Sequence, residues 1–103
     1  MSAPVTPEII ATISLLRSES GGRESAIPHG EYRGVLGIGH EHFSCRFFVS
    51  GQVGLGLGQT ETYGIQFLAP DIALPRFPEG ANFTLWEGKV VGTGTVQKLV
   101  WHG

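Results

Sequence analysis

His40 and His42 come closest, by residue type and spacing, to a chemical site. On a β-strand, side chains two residues apart share a face, so both imidazoles could reach one metal ion. A zinc site usually needs roughly three or four ligands. A regular strand turns Cys45 to the opposite face, and His29 has no fixed relation to the pair. The sequence therefore predicts a polar turn over 39–42 and no metal, with a metal-dependent or hydrolytic enzyme as the alternative.

No other arrangement in the sequence predicts catalysis. Cys45 lies in an apolar alternation from Phe43 to Val49, which is typical of a small buried residue. Catalytic Cys–His or Ser–His pairs need a hydrogen-bond geometry that no spacing here implies. The chain also lacks the GxxxxGK(S/T) loop that binds nucleotide phosphates. We therefore expect no catalytic residues, no cofactor and no nucleotide, and hence a protein that is not an enzyme.

The composition indicates one small globular domain. The chain has 103 residues, of which 41% are hydrophobic and 16% are charged. Its net charge is −2, whereas a free-standing nucleic-acid binder normally carries a basic surplus. Cys45 is the only cysteine, which excludes an internal disulfide and predicts a reduced, cytoplasmic setting. We expect no signal peptide and no membrane span, because no apolar run approaches ~20 residues.

The stretch over 78–100 predicts a long β-hairpin. Phe83 and Leu85 alternate with more polar neighbours, as in a strand with one buried face. Glu87-Gly88 predicts the tight turn, because glycine adopts positive φ without a steric penalty. The return strand is rich in β-branched residues, which suit a pleated surface. Glycines inside that strand predict a bulge or a sharp bend, at Gly92 and Gly94.

The rest of the chain predicts short strands joined by glycine-rich turns. These strands cover 8–16, 31–38, 43–49 and 61–68. The apolar, glycine-rich stretch over 51–58 predicts an edge segment or a packed loop over one end of a barrel. The stretch over 70–78 predicts a loop stiffened by proline. We therefore expect an all-β chain, with a flexible arm over 1–7 and a single small closed barrel over 8–103.

An ordered set of short motifs resembles the C-terminal (third) domain of elongation factor Tu. The motifs are RSESGGR (17–23), EYR (31–33), FLAP (67–70), EG (87–88) and VGTGTVQKL (91–99). Each motif alone is common, but their order and spacing agree over nearly the whole chain. The resemblance implies a six-stranded antiparallel β-barrel. It also implies a stand-alone relative of a non-catalytic domain, since the GTPase part of that family is missing from this sequence.

The resemblance also implies a set of RNA-contact candidates, because the family's domain touches the T-stem of aminoacyl-tRNA and the nucleotide-exchange factor. The positions that match the family's tRNA contacts are Arg23, Ser44 and Glu87. Arg33 could contact a phosphate as well. The family's Gln after Tyr-Arg-Pro is replaced by Gly34-Val35, and its Arg before the hairpin-tip Glu is replaced by Trp86. These replacements remove polar donors and add apolar surface.

Phe48 and Trp86 predict an interface with a protein. Each lies opposite the apparent core face of its strand, and aromatic side chains dominate interface energetics. Phe77, in the proline-rich stretch over 74–78, could extend the same patch. Alternatively, a bulge reverses the facing of a strand, or the loop folds over these rings. We therefore expect a non-catalytic module for a protein partner or for itself, and an RNA-stem binding module is the alternative.

Overall fold

The structure, a computed structural model, describes residues 5–100 and shows an all-β fold. Over that range the six strands are β1 (Ile9–Leu15), β2 (Gly30–Ile38), β3 (Glu41–Val49), β4 (Thr60–Phe67), β5 (Asn82–Trp86) and β6 (Val90–Leu99). Neighbouring strands are antiparallel in the order β1-β4-β3-β2-β5-β6, and β6 pairs with β1 to close the barrel. The predicted six-stranded antiparallel barrel is confirmed. The predicted arm over 1–7 and the end of the predicted domain fall partly on residues 1–4 and 101–103, outside the described residues.

Alternation along the strands fills the barrel interior with apolar side chains. In β1 every second residue is buried, beginning at Ile9. In β3 the ring of Phe47 is buried, whereas its neighbour Phe48 is exposed, as the alternation predicts. Tyr63 in β4 stacks on Phe47 with ring centroids 5.0 Å apart. Large, fully buried side chains include Ile9, Ile13, Leu36, Phe47, Ile65, Phe77 and Leu85.

The predicted hairpin is formed by β5 and β6. Its turn places Gly88 at φ +77°, and the N–H of Glu87 donates to the carbonyl of Lys89 at 2.8 Å. A bulge lies between β5 and β6 beside Gly92, as the pairing shifts after Leu85. Gly94 has a different reason, because a Cβ there would lie 2.3 Å from Cζ of Phe83. Close approach of that ring, rather than a bulge, is what requires glycine at this position.

Two of the predicted connections differ from the structure. The stretch over 70–78 is not a loop: it contains a short helix, α1 (Pro70–Ala73), followed by a 3-10 turn over 74–76. Proline at the first position of a helix is favoured, because its missing N–H would have no intrahelical partner. The predicted polar turn over 39–42 is too long, since β3 already begins at Glu41. The predicted packed loop over 51–58 is confirmed by Leu55, which is buried and bridges to Ile27.

The prediction that Phe77 belongs to an interface is wrong. Its side chain is 0% exposed. Its ring lies 4.8 Å from that of Phe67, 5.5 Å from that of Phe43 and 5.8 Å from that of Phe83. The helical turns after β4 lead the chain back across the barrel, so Phe77 packs inside the aromatic cluster.

Candidate functional site

The outward side of β5, β2, β3 and the end of β4 carries a transverse row of side chains. Val35 pairs with Trp86 on one side and with Ser44 on the other. The N–H of Leu68 donates to the carbonyl of Ser44 at 3.0 Å, and Val90 pairs with Trp86. Because directly paired residues point to the same side of a sheet, these five side chains form one row. We call it the apolar row, since only Ser44 in it is polar.

Much of the apolar row is open to solvent. Trp86 is 37% exposed, Val90 is 41% exposed and Leu68 is 82% exposed. Ser44 is exposed, and Val35 is partly buried between its neighbours. On the helix that follows, Ile72 is also exposed. Contiguous exposed apolar surface of this kind marks a binding site more often than isolated exposed residues do.

A second row, the arginine row, runs beside the apolar row two residues further along the strands. Arg33 pairs with Arg46, and Arg46 pairs with Gln66. Arg46 donates from Nε to the Gln66 side chain at 2.8 Å. Both guanidinium groups bind one carboxylate, that of Glu31, at 2.7 Å from Arg33 and 2.8 Å from Arg46. The hydrogen bond from Arg33, and the second one from Arg46, lower the pKa of Glu31 although burial opposes them.

The two rows enclose a groove of about 890 Å³. Gly34 lines the groove, and a Cβ at this position would lie 2.3 Å from Cε2 of Tyr32. The Tyr32 ring therefore occupies the space beside Gly34, and Cys45 also lines the groove. Burial raises the pKa of the Cys45 thiol to about 12, so the thiol is held neutral. A neutral, buried thiol is a packing group and a poor nucleophile.

The structure brings Arg23 and Glu87 together as an ion pair. Nη1 of Arg23 lies 2.5 Å from Oε2 of Glu87, and the Tyr32 hydroxyl donates to the same carboxylate oxygen. Arg23 also donates to the carbonyls of Ser25 and Ala26. Burial, and then the Glu87 carboxylate, raise the pKa of Tyr32. The cluster ties the hairpin tip to the segment between β1 and β2.

Of the remaining RNA-contact candidates, Arg33 and Ser44 lie on the outward face, one in each row. Phe48 lies on the same face, on the opposite side of the arginine row from Trp86, because it pairs with Glu31. Its ring is 48% exposed and packs against the ring of His29 at 5.1 Å. The outward placement of Phe48 and Trp86 agrees with the alternation of their strands. Their role in binding stays a prediction.

The two histidines of the alternative metal site are divided between a turn and a strand. His40 lies in the turn before β3, whereas His42 lies in β3 and packs on Trp86 with ring centroids 4.9 Å apart. Across residues 5–100, no three His, Cys, Asp or Glu side chains are grouped so as to hold a metal ion. In the same part of the chain, no helix has the length and apolar character needed to cross a membrane.

Sequence reasoning missed some members of the two rows. Gln66, Leu68 and Val90 were not singled out from the sequence, and Val35 was noted only as part of a replacement for a polar residue of the resembled family. Their alternation within the strands gave their outward direction. The order of the strands in the barrel could not be predicted in the same way. The neighbours of β2 are β3 and β5, and β5 is distant from β2 in the chain.

Comparison with known proteins adds no family assignment. No protein-family model matches this chain, and no curated protein matches it at a significant level. The fold and the face define a closed six-stranded antiparallel barrel with a groove between an apolar row and an arginine row. The resemblance to the third domain of elongation factor Tu rests on the short motifs and stays a prediction.

Proposed function

We propose that this protein is a non-catalytic binding module that recognises a partner protein through the outward face of β5, β2, β3 and β4. The observation that carries the proposal is the apolar row, which contains the exposed side chains of Trp86, Val90 and Leu68. Tryptophan and arginine are the residue types most enriched at the energetic centres of interfaces. Here one exposed tryptophan lies beside a pair of arginines in a groove, which is the composition expected of such a centre.

The resemblance to a non-catalytic domain of a translation factor supports a binding role. Cys45 is the only cysteine of the chain and is free, and a chain without an internal disulfide suits a reducing compartment, so we propose that the protein acts in the cytoplasm.

The alternative, an RNA-stem binding module, has less support. Arg23 and Glu87 are bonded to each other, and Arg33 and Arg46 share the carboxylate of Glu31. Affinity for RNA comes mainly from neutralising phosphates, and a chain of net charge −2 has few unshared cations for that purpose. A filter-binding titration with a duplex RNA at low salt tests this alternative. Binding that weakens strongly in Arg23→Ala and Arg33→Gln would favour it over the proposed function.

Site-specific photo-crosslinking in cells tests the proposed function. A photoreactive phenylalanine analogue replaces Leu68 in the apolar row, and the control places the same analogue at Val53. Val53 is equally exposed, at 82%, but lies on the loop after β3. We expect a discrete crosslinked product from position 68, no product from position 53, and loss of the product when Trp86→Ala is added.

Light scattering separates a partner protein from self-association. A dimer of the wild type that dissociates in Trp86→Ala would identify a second copy of the chain as the partner. A monomer in both, together with a crosslinked product, identifies a different protein. A monomer with no product specific to position 68 contradicts the proposed function.

A further inference from the structure

We infer that the partner presents an extended segment in which acidic and apolar residues alternate, and this inference rests on the proposed function. The two rows lie two residues apart along the strands, which is roughly 7 Å. One row is apolar and the other is cationic, so a ligand in the groove contacts an apolar surface on one side and a cationic surface on the other. An extended segment directs successive side chains to opposite sides and can satisfy both rows at once.

Arg33, in the arginine row, presents an exposed guanidinium to the groove. Arg33 and Arg46 both bind the carboxylate of Glu31. The Arg33 side chain is 78% exposed and reaches Glu31 through Nε. A guanidinium has further N–H donors beside Nε, and these match a carboxylate in a two-point geometry. The exposed guanidinium of Arg33 therefore complements an acidic residue of the partner.

The apolar row sets the length of the segment. From Trp86 through Val35 and Ser44 to Leu68 there are three steps between neighbouring strands. At about 4.8 Å a step, this part of the row spans roughly 14 Å, which an extended peptide covers in about four residues. Alternate residues of such a segment, about 7 Å apart, would direct apolar side chains towards the apolar row, and the residues between them would direct a carboxylate towards Arg33.

A nucleic acid fits these rows less well. Phosphates on the arginine row would place sugars or bases on Val35 and Leu68, which offer no hydrogen-bonding groups. RNA is therefore an outcome of the test below, and the acidic segment is the inference.

Fluorescence anisotropy with two labelled peptides tests the inference. One is a hexapeptide of alternating leucine and aspartate, and its matched control has asparagine in place of every aspartate. Each is titrated at low salt with the wild type, Arg33→Gln, Lys98→Gln and Trp86→Ala. Lys98→Gln removes the same charge from an exposed position on β6, outside the groove. Arg33 is exposed, so Arg33→Gln keeps the fold.

We expect the acidic peptide to bind the wild type at least about fivefold more tightly than the asparagine peptide, as charge-assisted hydrogen bonds outweigh neutral ones. Arg33→Gln should weaken acidic-peptide binding roughly five- to tenfold, and Lys98→Gln less than about twofold. Trp86→Ala should weaken binding of both peptides. Raising the salt should reduce the preference for the acidic peptide.

Three results overturn the inference. If neither peptide binds at about 1 mM, a range that covers weak peptide complexes, the groove does not take such a segment. If both peptides bind equally and depend on Trp86, the acidic preference is wrong while the proposed protein-binding function stands. If a duplex RNA binds in an Arg33-dependent manner and the peptides do not, the arginine row serves a nucleic acid. Failure of the proposed function itself is recognised separately, by the absence of a crosslink at position 68.

Discussion

Replacing Phe77 by alanine should destabilise the protein strongly. The side chain is 0% exposed and its ring contacts the rings of Phe43, Phe67 and Phe83 at 4.8 to 5.8 Å. Removing a fully buried phenylalanine loses its transfer free energy and leaves a cavity, at a total cost of about 3–5 kcal/mol. A domain of this size has about 5–15 kcal/mol of stability in all. The variant should therefore lose a large part of its free energy of unfolding.

Urea denaturation followed by far-ultraviolet circular dichroism measures this loss. The midpoint should fall while the m-value is unchanged, and the melting temperature should fall by about 12 °C or more. Phe77→Leu, which keeps most of the apolar volume, should cost less than about 2 kcal/mol and remains measurable if Phe77→Ala does not fold. The matched control is Ile72→Ala, because Ile72 lies in the same helical segment but is 68% exposed. Its effect should stay within about 0.5 kcal/mol.

A loss below about 1 kcal/mol for Phe77→Ala would refute the reasoning. That result would mean that the aromatic cluster does not enclose Phe77 in solution, and that this segment lies on the surface as the sequence alone suggested. A loss of binding with unchanged stability would support the same conclusion. The prediction therefore decides between the core and the interface for this residue.

Three further predictions concern single ionisable or polar groups. The Tyr63 hydroxyl is buried and has no hydrogen-bond partner among the described residues. Tyr63→Phe should therefore leave the free energy of unfolding, measured by urea denaturation, unchanged or raise it by up to about 1 kcal/mol, and a clear loss would reveal a partner for the hydroxyl. Hydrogen bonds from Arg33 and Arg46 lower the pKa of Glu31 from its ordinary value of 4.5, so the carboxylate stabilises the fold above that value and loses this effect as the pH falls through its lower folded pKa. Between about pH 7 and pH 3, the urea midpoint should therefore fall more steeply with decreasing pH for the wild type than for Glu31→Gln, and parallel curves would contradict this. Burial raises the pKa of Cys45 to about 12. At about pH 8, the thiol of the native protein should therefore react with an aromatic disulfide reagent at least about a hundredfold more slowly than the thiol of the urea-unfolded protein, and equal rates would show that the native thiol is accessible.

Strands could be predicted from the sequence because their signal is local. Phe83 and Leu85 alternate with polar residues, and Phe47 and Phe48 occupy adjacent positions of an alternating run. Two-residue periodicity fixes which side chains share a face without any knowledge of neighbouring strands. The closed barrel followed from several such strands with glycine turns. The turn at Gly88 was also a local signal, as only its own backbone conformation demands glycine.

The burial of Phe77 could not be predicted in the same way. Its segment is short and rich in proline, so neither a helical nor a strand period can be recognised there. Whether such a ring is buried depends on where the chain leads it, and that direction is set by α1 and the turn after it. The apolar row was hidden for a related reason. Its members come from five separate segments, and only the pairing of β2 with both β3 and β5 places them together.

The hairpin tip connects the charged cluster to the groove. Glu87 directly follows Trp86, and its carboxylate is held by Arg23 and by the Tyr32 hydroxyl. Because β5 pairs with β2 only as far as Trp86, the tip beyond that residue has no ladder hydrogen bonds to β2. Side-chain bonds from Arg23 and Tyr32 therefore hold the tip instead. Arg23 and Glu87, two of the three residues that match tRNA contacts in the resembled family, are bonded here to each other. This arrangement suits a face that binds through Trp86 better than one that binds through free charges at Arg23 and Glu87.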